Sequence, residues 1–528
     1  MTSATQDSTP APSAPDEFAP APGRWWTLAA VCLGTFMLLL DITIVNVALP
    51  NIQTDLHSSF ADLQWVIDAY ALTLAATLLT SGSLADMYGR KRLYVIGLSV
   101  FTAASLLCGI APNTLVLQLS RGLQGVGGAI MFSVALALLA DAFRGKERGV
   151  AFGVWGAITG LAVAIGPVVG GGLTSGLSWR WIFFVNLPLG LLAVALTLAQ
   201  VAESKDPAPR RPDWAGFVTF TAALALLVFG LIKSNDRGFT DGLVLGCFAG
   251  AAVLLAAFLA VEVTGRHPMF DLVLFRKPTF TGAAIAAFGI SASIFAMLLY
   301  LTLYLQDILG YSALQTGVRL LVLSGGILVV SAVAGRLSER VPIRLLIGPG
   351  LLVVGVGLLL MRGLDAGSGW THLIPGLLVS GVGVGMINPP LASAAVGVVH
   401  PRQAGMASGI SSTFRQVGIA TGIALLGSLF SSKVHAAALS GLSTVPAVRG
   451  KGTGIATALT SGQLGHALAP LPPSVRRQVI VVAHSAFTTG LNEILLVAAV
   501  VALASGVLSF ALIRGQDFVR YEDGGGQA

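Results

Sequence analysis

An aspartate stands inside the first long apolar run of the chain, in Leu40-Asp41-Ile42-Thr43-Ile44-Val45-Asn46-Val47-Ala48-Leu49-Pro50. A carboxylate at the centre of a membrane helix costs roughly 2.5 to 3.5 kcal/mol on insertion scales, so it survives where a partner or a wet cavity compensates it. Asp41 is therefore a candidate for holding and releasing a proton. Reaching back to the interface is the plainer alternative, but roughly eight residues of helix separate it from the outer boundary. Two more acids fall at a similar depth, Asp68 in Trp65-Val66-Ile67-Asp68-Ala69-Tyr70 and Glu493 after Asn492. At 1.5 Å per residue, all three are expected roughly 8 to 12 Å from the outer boundary. Three carboxylates at one level of one cavity would attract a cation and exchange it against protons. Asp307, in Leu305-Gln306-Asp307, is expected at the interface.

Basic and small residues complete the set. Arg121 precedes Gln124 and Gly125 on one helical face, and its guanidinium stays charged at physiological pH, so its use would be to bias a nearby acid; snorkelling to the interface is the alternative. Asp86 and Arg90 are one helical turn apart beside Gly89, as a charge latch or a plain topology anchor. Gly156, Gly160, Gly166 and Gly170 would let a second helix approach closely, and Pro167 removes a backbone donor among them. Arg415-Gln416 falls near mid-depth, with Glu493 or backbone carbonyls as partners for the arginine. Trp65, Tyr70, Tyr300 and Tyr304 could stack on a flat cation or serve as ordinary packing.

These residues need helices that live in lipid. Of 528 residues, 55% are hydrophobic and only 10% charged, and the mean hydropathy is +0.82, which excludes an ordinary soluble chain. Fourteen runs are long enough to cross about 30 Å of hydrocarbon, among them 181–201, 279–307, 404–430 and 486–513. Loops that fall on the N-terminal side hold 19 Lys and Arg; the short loops opposite hold 4. Both termini are therefore expected in the cytoplasm. The net charge of +7 is spread over these loops and gives no nucleic-acid face. Three cysteines in apolar runs offer no disulfide framework, and no histidine spacing offers a metal site.

The expected organisation is a disordered tail over 1–23, a six-helix bundle over 24–201, a central helix pair over 202–265, a second six-helix bundle over 266–514, and a tail over 515–528. The second bundle carries an external loop, 431–484, read as a surface hairpin or interfacial helix or as a linker. Gly82-Ser83-Leu84-Ala85-Asp86 recurs as Gly335-Arg336-Leu337-Ser338-Glu339, a weak parallel repeat.

Four segments together resemble the major facilitator superfamily, and within it the 14-helix drug:proton antiporter branch. They are the run around Asp41; Gly82 through Arg92, with Met87 where an arginine is common; Arg121-Gly122-Leu123-Gln124-Gly125-Val126-Gly127-Gly128; and Gly160 through Gly166-Pro167-Val168-Val169-Gly170-Gly171. The block Trp179-Arg180-Trp181-Ile182-Phe183-Phe184-Val185-Asn186-Leu187-Pro188 is also similar to that branch. The resemblance implies an all-α membrane fold of two six-helix bundles and a central pair. It implies a bacterial cytoplasmic-membrane exporter of lipophilic, cationic drugs or antibiotics that is driven by the proton gradient without a cofactor. Asp41 and Arg121 would couple protons, Asp68 and Glu493 bind substrate or proton, and Asp86 and Arg90 latch the bundles. Uptake of a nutrient through the same fold and a membrane-embedded enzyme are the competing expectations; no nucleophile, metal or nucleotide motif supports the latter.

Overall fold

The computed structural model describes residues 23–58, 60–143, 145–204, 213–264, 272–338, 340–400, 403–448, 452–460 and 471–518. Every regular element among them is helical. The first half runs α1 (Arg24–Leu56), α2 (Phe60–Tyr88), α3 (Arg90–Gly109), α4 (Thr114–Ala142), α5 (Gly145–Gly176), α6 (Trp181–Phe184) and α7 (Asn186–Gln200). Two helices follow, α8 (Trp214–Arg237) and α9 (Gly242–Thr264). Then come α10 (Pro278–Ile290), α11 (Ala296–Leu303), α12 (Ala313–Leu337), α13 (Arg344–Leu360), α14 (Ile374–Gly397), α15 (Ala404–Ser443), α16 (Gly452–Thr460) and α17 (Pro473–Leu512). Twelve of the described helical segments are long and apolar enough to cross a membrane. The 32-residue α5 and the 17-residue apolar α13 occupy the places of the fifth and eleventh expected spans.

The packing is inverted relative to a soluble protein. Leu115, Leu119 and Leu123 form an exposed i, i+4 stripe on α4, while Arg121 and Gln124 of the same helix are buried. In lipid that is the stable arrangement, because apolar side chains lose nothing by facing acyl chains and polar ones need partners inside the protein. One large apolar cluster is built from residues between Ala283 and Ile513. A second draws on Leu28 to Val201, with Ala392, Val396 and Ala404 reaching in from the second half.

Local chemistry explains the breaks. Asn113 caps α4 by accepting from the Val116 amide at 3.0 Å. The expected span 181–201 divides at Val185 because Pro188 has no N–H for the carbonyl of Phe184, and Asn186 sits fully buried at that joint. In the expected span 279–307, two π-helical turns, Ser291–Phe295 and Tyr304–Ile308, flank α11. Both lie within one continuous crossing from Pro278 to Ile308.

Two expectations are corrected. The external segment 431–484 is largely helix: α15 continues to Ser443 and α17 begins at Pro473. Val434, Ala438 and Leu442 on one helix and Val479 and Ala483 on the other are buried at helical spacing, so the helix pair keeps packing through this segment. Residues 449–451 and 461–470 of that segment lie outside the described residues. The tail expected from 515 onward starts with structure: Asp517 accepts the Thr279 amide at 3.0 Å, satisfying one free N–H at the start of α10, and Phe518 packs against the core. Residues 1–22 and 519–528 lie outside the described residues.

The two halves meet at the face that carries the α2–α3 turn, called the basic face below. There Gly82 of α2 lies against the backbone of Gly405, and Gly335 of α12 against the backbone of Gly149 and Gly153 on α5. The two copies of the weak repeat thus make equivalent crossings, each with a helix of the opposite half. A methyl group at Gly82 would collide with the Gly405 carbonyl, so glycine is required by the approach itself. Glu339, the repeat's counterpart of Asp86, lies outside the described residues.

Candidate functional site

Asp41 sits on α1 with no exposed surface, and three donors from two other helices close on it. Arg121 of α4 donates from Nη1 to its Oδ2 at 2.5 Å. Gln124 of α4 and Asn186 of α7 donate to its Oδ1 at 2.8 and 3.0 Å. Ser105 of α3 accepts from both of those amides, at 2.7 and 3.2 Å. All five residues are at most 1% exposed. A carboxylate with three donors, one of them a guanidinium, is fully compensated; removing either charge of such a pair costs about 3 to 5 kcal/mol.

Backbone crossings place this network. Gly125, one turn beyond Arg121, has no side chain to hold α2 away, so the Tyr70 carbonyl and Thr73 hydroxyl pack directly on it. Thr73 also donates to the Gly122 carbonyl at 2.7 Å. This approach brings the Val66 carbonyl to Arg121 Nε at 3.1 Å and lays the Tyr70 ring 4.2 Å from the guanidinium carbon. The arginine therefore has neutral acceptors, Val66 and the Gln124 side-chain oxygen at 2.7 Å, that remain when Asp41 takes a proton. Protonation of Asp41 would leave the buried cation in place and change the net charge of the cluster from zero to plus one. Coulomb forces are strong at this low dielectric, so one proton is a large local signal.

The glycines of α5 serve two partners. Gly166 abuts Thr43, and Gly170 abuts Ile44, two and three residues beyond Asp41 on α1. Gly153, Gly156 and Gly160 instead face Ser331, Pro389 and Ile327 of the second half. α5 is helical through Pro167. A single helix thus touches both the Asp41 segment and the opposite half.

Asp86 forms a second buried cluster at the basic face. Arg90 donates to its Oδ1 from Nε and Nη2 at 3.0 and 2.7 Å. The same carboxylate accepts the amides of Gly405 and Met406 at 3.0 and 2.9 Å, at the start of α15 in the other half. A carboxylate at free helical N–H groups gains from the helix dipole as well as from the bonds. The sequence marked Asp86 and Arg90 but gave no sign that the third partner is backbone 320 residues away.

Asp68 does not face the Asp41–Arg121 pair. Asp68 falls about 200° around α2 from both Val66 and Tyr70, the residues that meet Arg121. It lies on the side of Trp65, which packs on Phe229 and under Lys233 of α8. Glu493 follows Asn492, whose side chain binds the amides of Gly363 and Leu364 in the turn after α13, so Glu493 stands level with that turn. Asp307 is exposed in the second π turn. Arg415 of α15 donates to Asn388 Oδ1 of α14 at 3.1 Å, which replaces both expected partners. Tyr300 and Tyr304 spend their hydroxyls on the carbonyls of Ile423 and Ser368 and act as packing. Sequence reasoning missed Ser105, Asn186 and Asn388. The signal for Asn186 was an amide beside a proline in an apolar run; Ser105 carried none.

Comparison with known proteins gives a consistent picture. A family model described as Major Facilitator Superfamily matches residues 31–423. The chain is 39% identical over 411 residues to the Multidrug resistance protein Stp of Mycobacterium tuberculosis, covering 78% of this chain and 76% of that protein. It is 36% identical over 439 residues to the Puromycin resistance protein pur8 of Streptomyces alboniger, covering 82% and 87%. It is 34% identical over 421 residues to the Tetracenomycin C resistance and export protein of Streptomyces glaucescens, covering 78% and 77%. Among solved structures, the human organic anion transporter MFSD10 (TETRAN) shares the fold, with a TM-score of 0.59 at 15% identity over 91% of this chain and 100% of that one. A multi-span helical protein with a buried Asp41–Arg121 pair, a carboxylate hydrogen-bonded across its halves and these relatives belongs to the major facilitator superfamily.

Proposed function

We propose that this protein exports lipophilic drugs or antibiotics across the bacterial cytoplasmic membrane in exchange for protons, by alternating access. Relatives named for multidrug resistance, puromycin resistance and tetracenomycin C export support the substrate class. The observation that carries the coupling is the Asp41 cluster. It is the ionisable group set deepest among polar partners in the first half, and a proton on it alters the charge of a site that touches α1, α3, α4 and α7.

In this reading Asp41 takes the proton and Arg121 holds it poised. Gly166, Pro167 and Gly170 form the stretch of α5 through which a shift of α1 reaches the other half. Asp86 and Arg90 lock the basic face, which is cytoplasmic, and are released when it opens. Fourteen spans form two moving bundles, 24–201 and 266–514, with the pair 202–265 beside them; α8 packs against both α2 and α15. The proton gradient supplies the energy, with no cofactor and no catalysis. The expectation of a cationic substrate drew on three acids at one level; Asp68 turns away from the Asp41–Arg121 cluster around α2, and in this reading coupling rests on Asp41 alone.

The test uses inverted vesicles from a pump-deficient host. A pH gradient, acid inside, should drive accumulation of at least one member of a panel that includes puromycin and tetracenomycin C, and a protonophore should abolish it. Accumulation that persists after the gradient is collapsed refutes proton coupling.

A further inference from the structure

Three arginines lie within helices away from the loops, and they are compensated differently. Arg121 has Asp41. Arg319, near the start of α12, lies on the rings of Tyr311 and Trp370 at 3.6 and 5.1 Å. Arg415 has only the Asn388 side-chain oxygen as an acceptor among the described residues. It is eleven residues into α15, about 16 Å along the axis, and Asn388 is nine residues from the end of α14, about 14 Å. Both therefore stand near the middle of a hydrocarbon core of about 30 Å. A cation without a counter-charge is costly there.

The surroundings lie where the halves meet and helices are irregular. Asn388 is 1% exposed and backs onto Gly156 of α5, so the Arg415–Asn388 pair lies at the seam between the halves. Arg415 keeps part of its surface open although it is directed at this seam. The next residues, Pro389 and Pro390, sit inside α14 and deprive the carbonyls of Gly385 and Met386 of their usual donors. Gly385 receives a weak substitute from the Ser331 hydroxyl at 3.4 Å. One turn along α15, Gly418 packs on Ser291, the first residue of a π turn. An irregular α14 thus supplies the partner of Arg415, and a π turn packs on α15 one turn further along; backbone of this kind at membrane depth is tolerated where protein buries it or it lines a cavity.

We propose that Arg415, oriented by Asn388, is the head-group site for the exported molecule, and that it takes an aromatic or otherwise apolar compound bearing an acidic oxygen, a carboxylate or phenolate. Of five guanidinium N–H donors, one is spent on Asn388, and a planar oxyanion supplies the missing counter-charge. The inference rests on the export reading for its physiological direction, but binding to purified protein tests it separately.

The probes are anthracene-2-carboxylate, its methyl ester and ethidium, with binding followed by fluorescence in detergent. The wild-type chain should bind the acid about tenfold or more tightly than the ester, the size of one charge-assisted hydrogen bond. Arg415→Gln should erase that preference and leave the ester and ethidium within about twofold of wild type. Asn388→Asp, which keeps the arginine and provides a resident counter-ion, should erase it as well, whereas Arg415→Lys should retain part of it. An acid bound no more tightly than the ester by the wild type overturns the site. So does a loss shared equally by acid and ester in Asn388→Asp, the mark of a packing role. A charge preference without proton-driven export would refute the coupling and leave this site standing; export without the preference would do the reverse.

Discussion

The two halves of this transporter each hold an arginine beside a side-chain amide within a helix, yet one arginine has a carboxylate and the other does not. Around Arg121, Asp41, Gln124, Asn186 and Ser105 form a network that is neutral and closed to solvent. Around Arg415, one amide oxygen and a broken helix leave the charge facing the seam. On the proposed reading the difference is a division of labour: the closed neutral pair would respond to a proton, and the cation without a counter-charge to a molecule that brings one.

The comparison breaks most severely at Asp41. Asp41→Asn should abolish uphill export under a pH gradient, because an amide keeps the shape but carries no exchangeable acid proton. It also strands Arg121, so thermal stability in detergent should fall by an amount on the order of 3 kcal/mol; Asp41→Asn with Arg121→Gln should regain most of that stability and none of the transport. Sustained uphill export by Asp41→Asn would move the coupling elsewhere.

Next in size is the seam itself. Gly82→Ala places a methyl group against the Gly405 carbonyl and should weaken closure of the basic face by about 1 to 3 kcal/mol. A cysteine introduced at the buried Ser408, in a chain lacking Cys32, Cys108 and Cys247, should then react from the basic face with a charged thiol reagent that spares the parent. Asp86→Asn should act in the same direction but less, since its single amide oxygen can still accept one of the Gly405 and Met406 amides, which now reach separate carboxylate oxygens. Equal protection in all three chains would show that the seam is not held there.

The smallest effect belongs to an exposed pair that resembles the buried one only in composition. Asp55, at the end of α1 beyond the membrane, accepts from Arg180 at 2.5 Å and from the Trp179 ring N–H at 3.0 Å. Those hydrogen bonds hold its carboxyl below the ordinary carboxylate range. A depressed value stabilises the fold above the unfolded value, about 4, and that gain disappears as pH falls through the lower folded value. Between pH 5 and 8, Asp55→Asn should therefore shift the melting temperature little and by a pH-independent amount, within the range of about 0 to 1 kcal/mol of exposed pairs. A large shift that varies across this window would contradict it.

Residue type carried much of this site. Asp41, Arg121, Asp86 and Arg90 stand out because charge inside an apolar run needs a reason. What the chain could not display is direction. Asp68 and Asp41 share a depth, but only the crossing of α2 and α4 reveals that Asp68 points away from Arg121, a matter of two residues on a helix. Asn186 lies inside a segment singled out from the sequence, yet its partner is 145 positions earlier. The long pair α15 and α17 was hidden for another reason: Lys433, His435 and Arg476 lower the mean hydropathy of stretches whose buried stripe is still apolar. Averages over a window lose a face that helical spacing preserves.

The paired glycine crossings at the basic face bear on leakage. A machine fed by the proton gradient loses energy whenever its closed end admits a thread of water, since protons hop along such threads far faster than any solute is carried. At Gly82 and Gly335, main chain rests on main chain, a contact that does not depend on a side chain that could swing aside. An idle copy of this protein would then draw almost no current from the cell, so that it could be kept at high density without dissipating the gradient on which it runs.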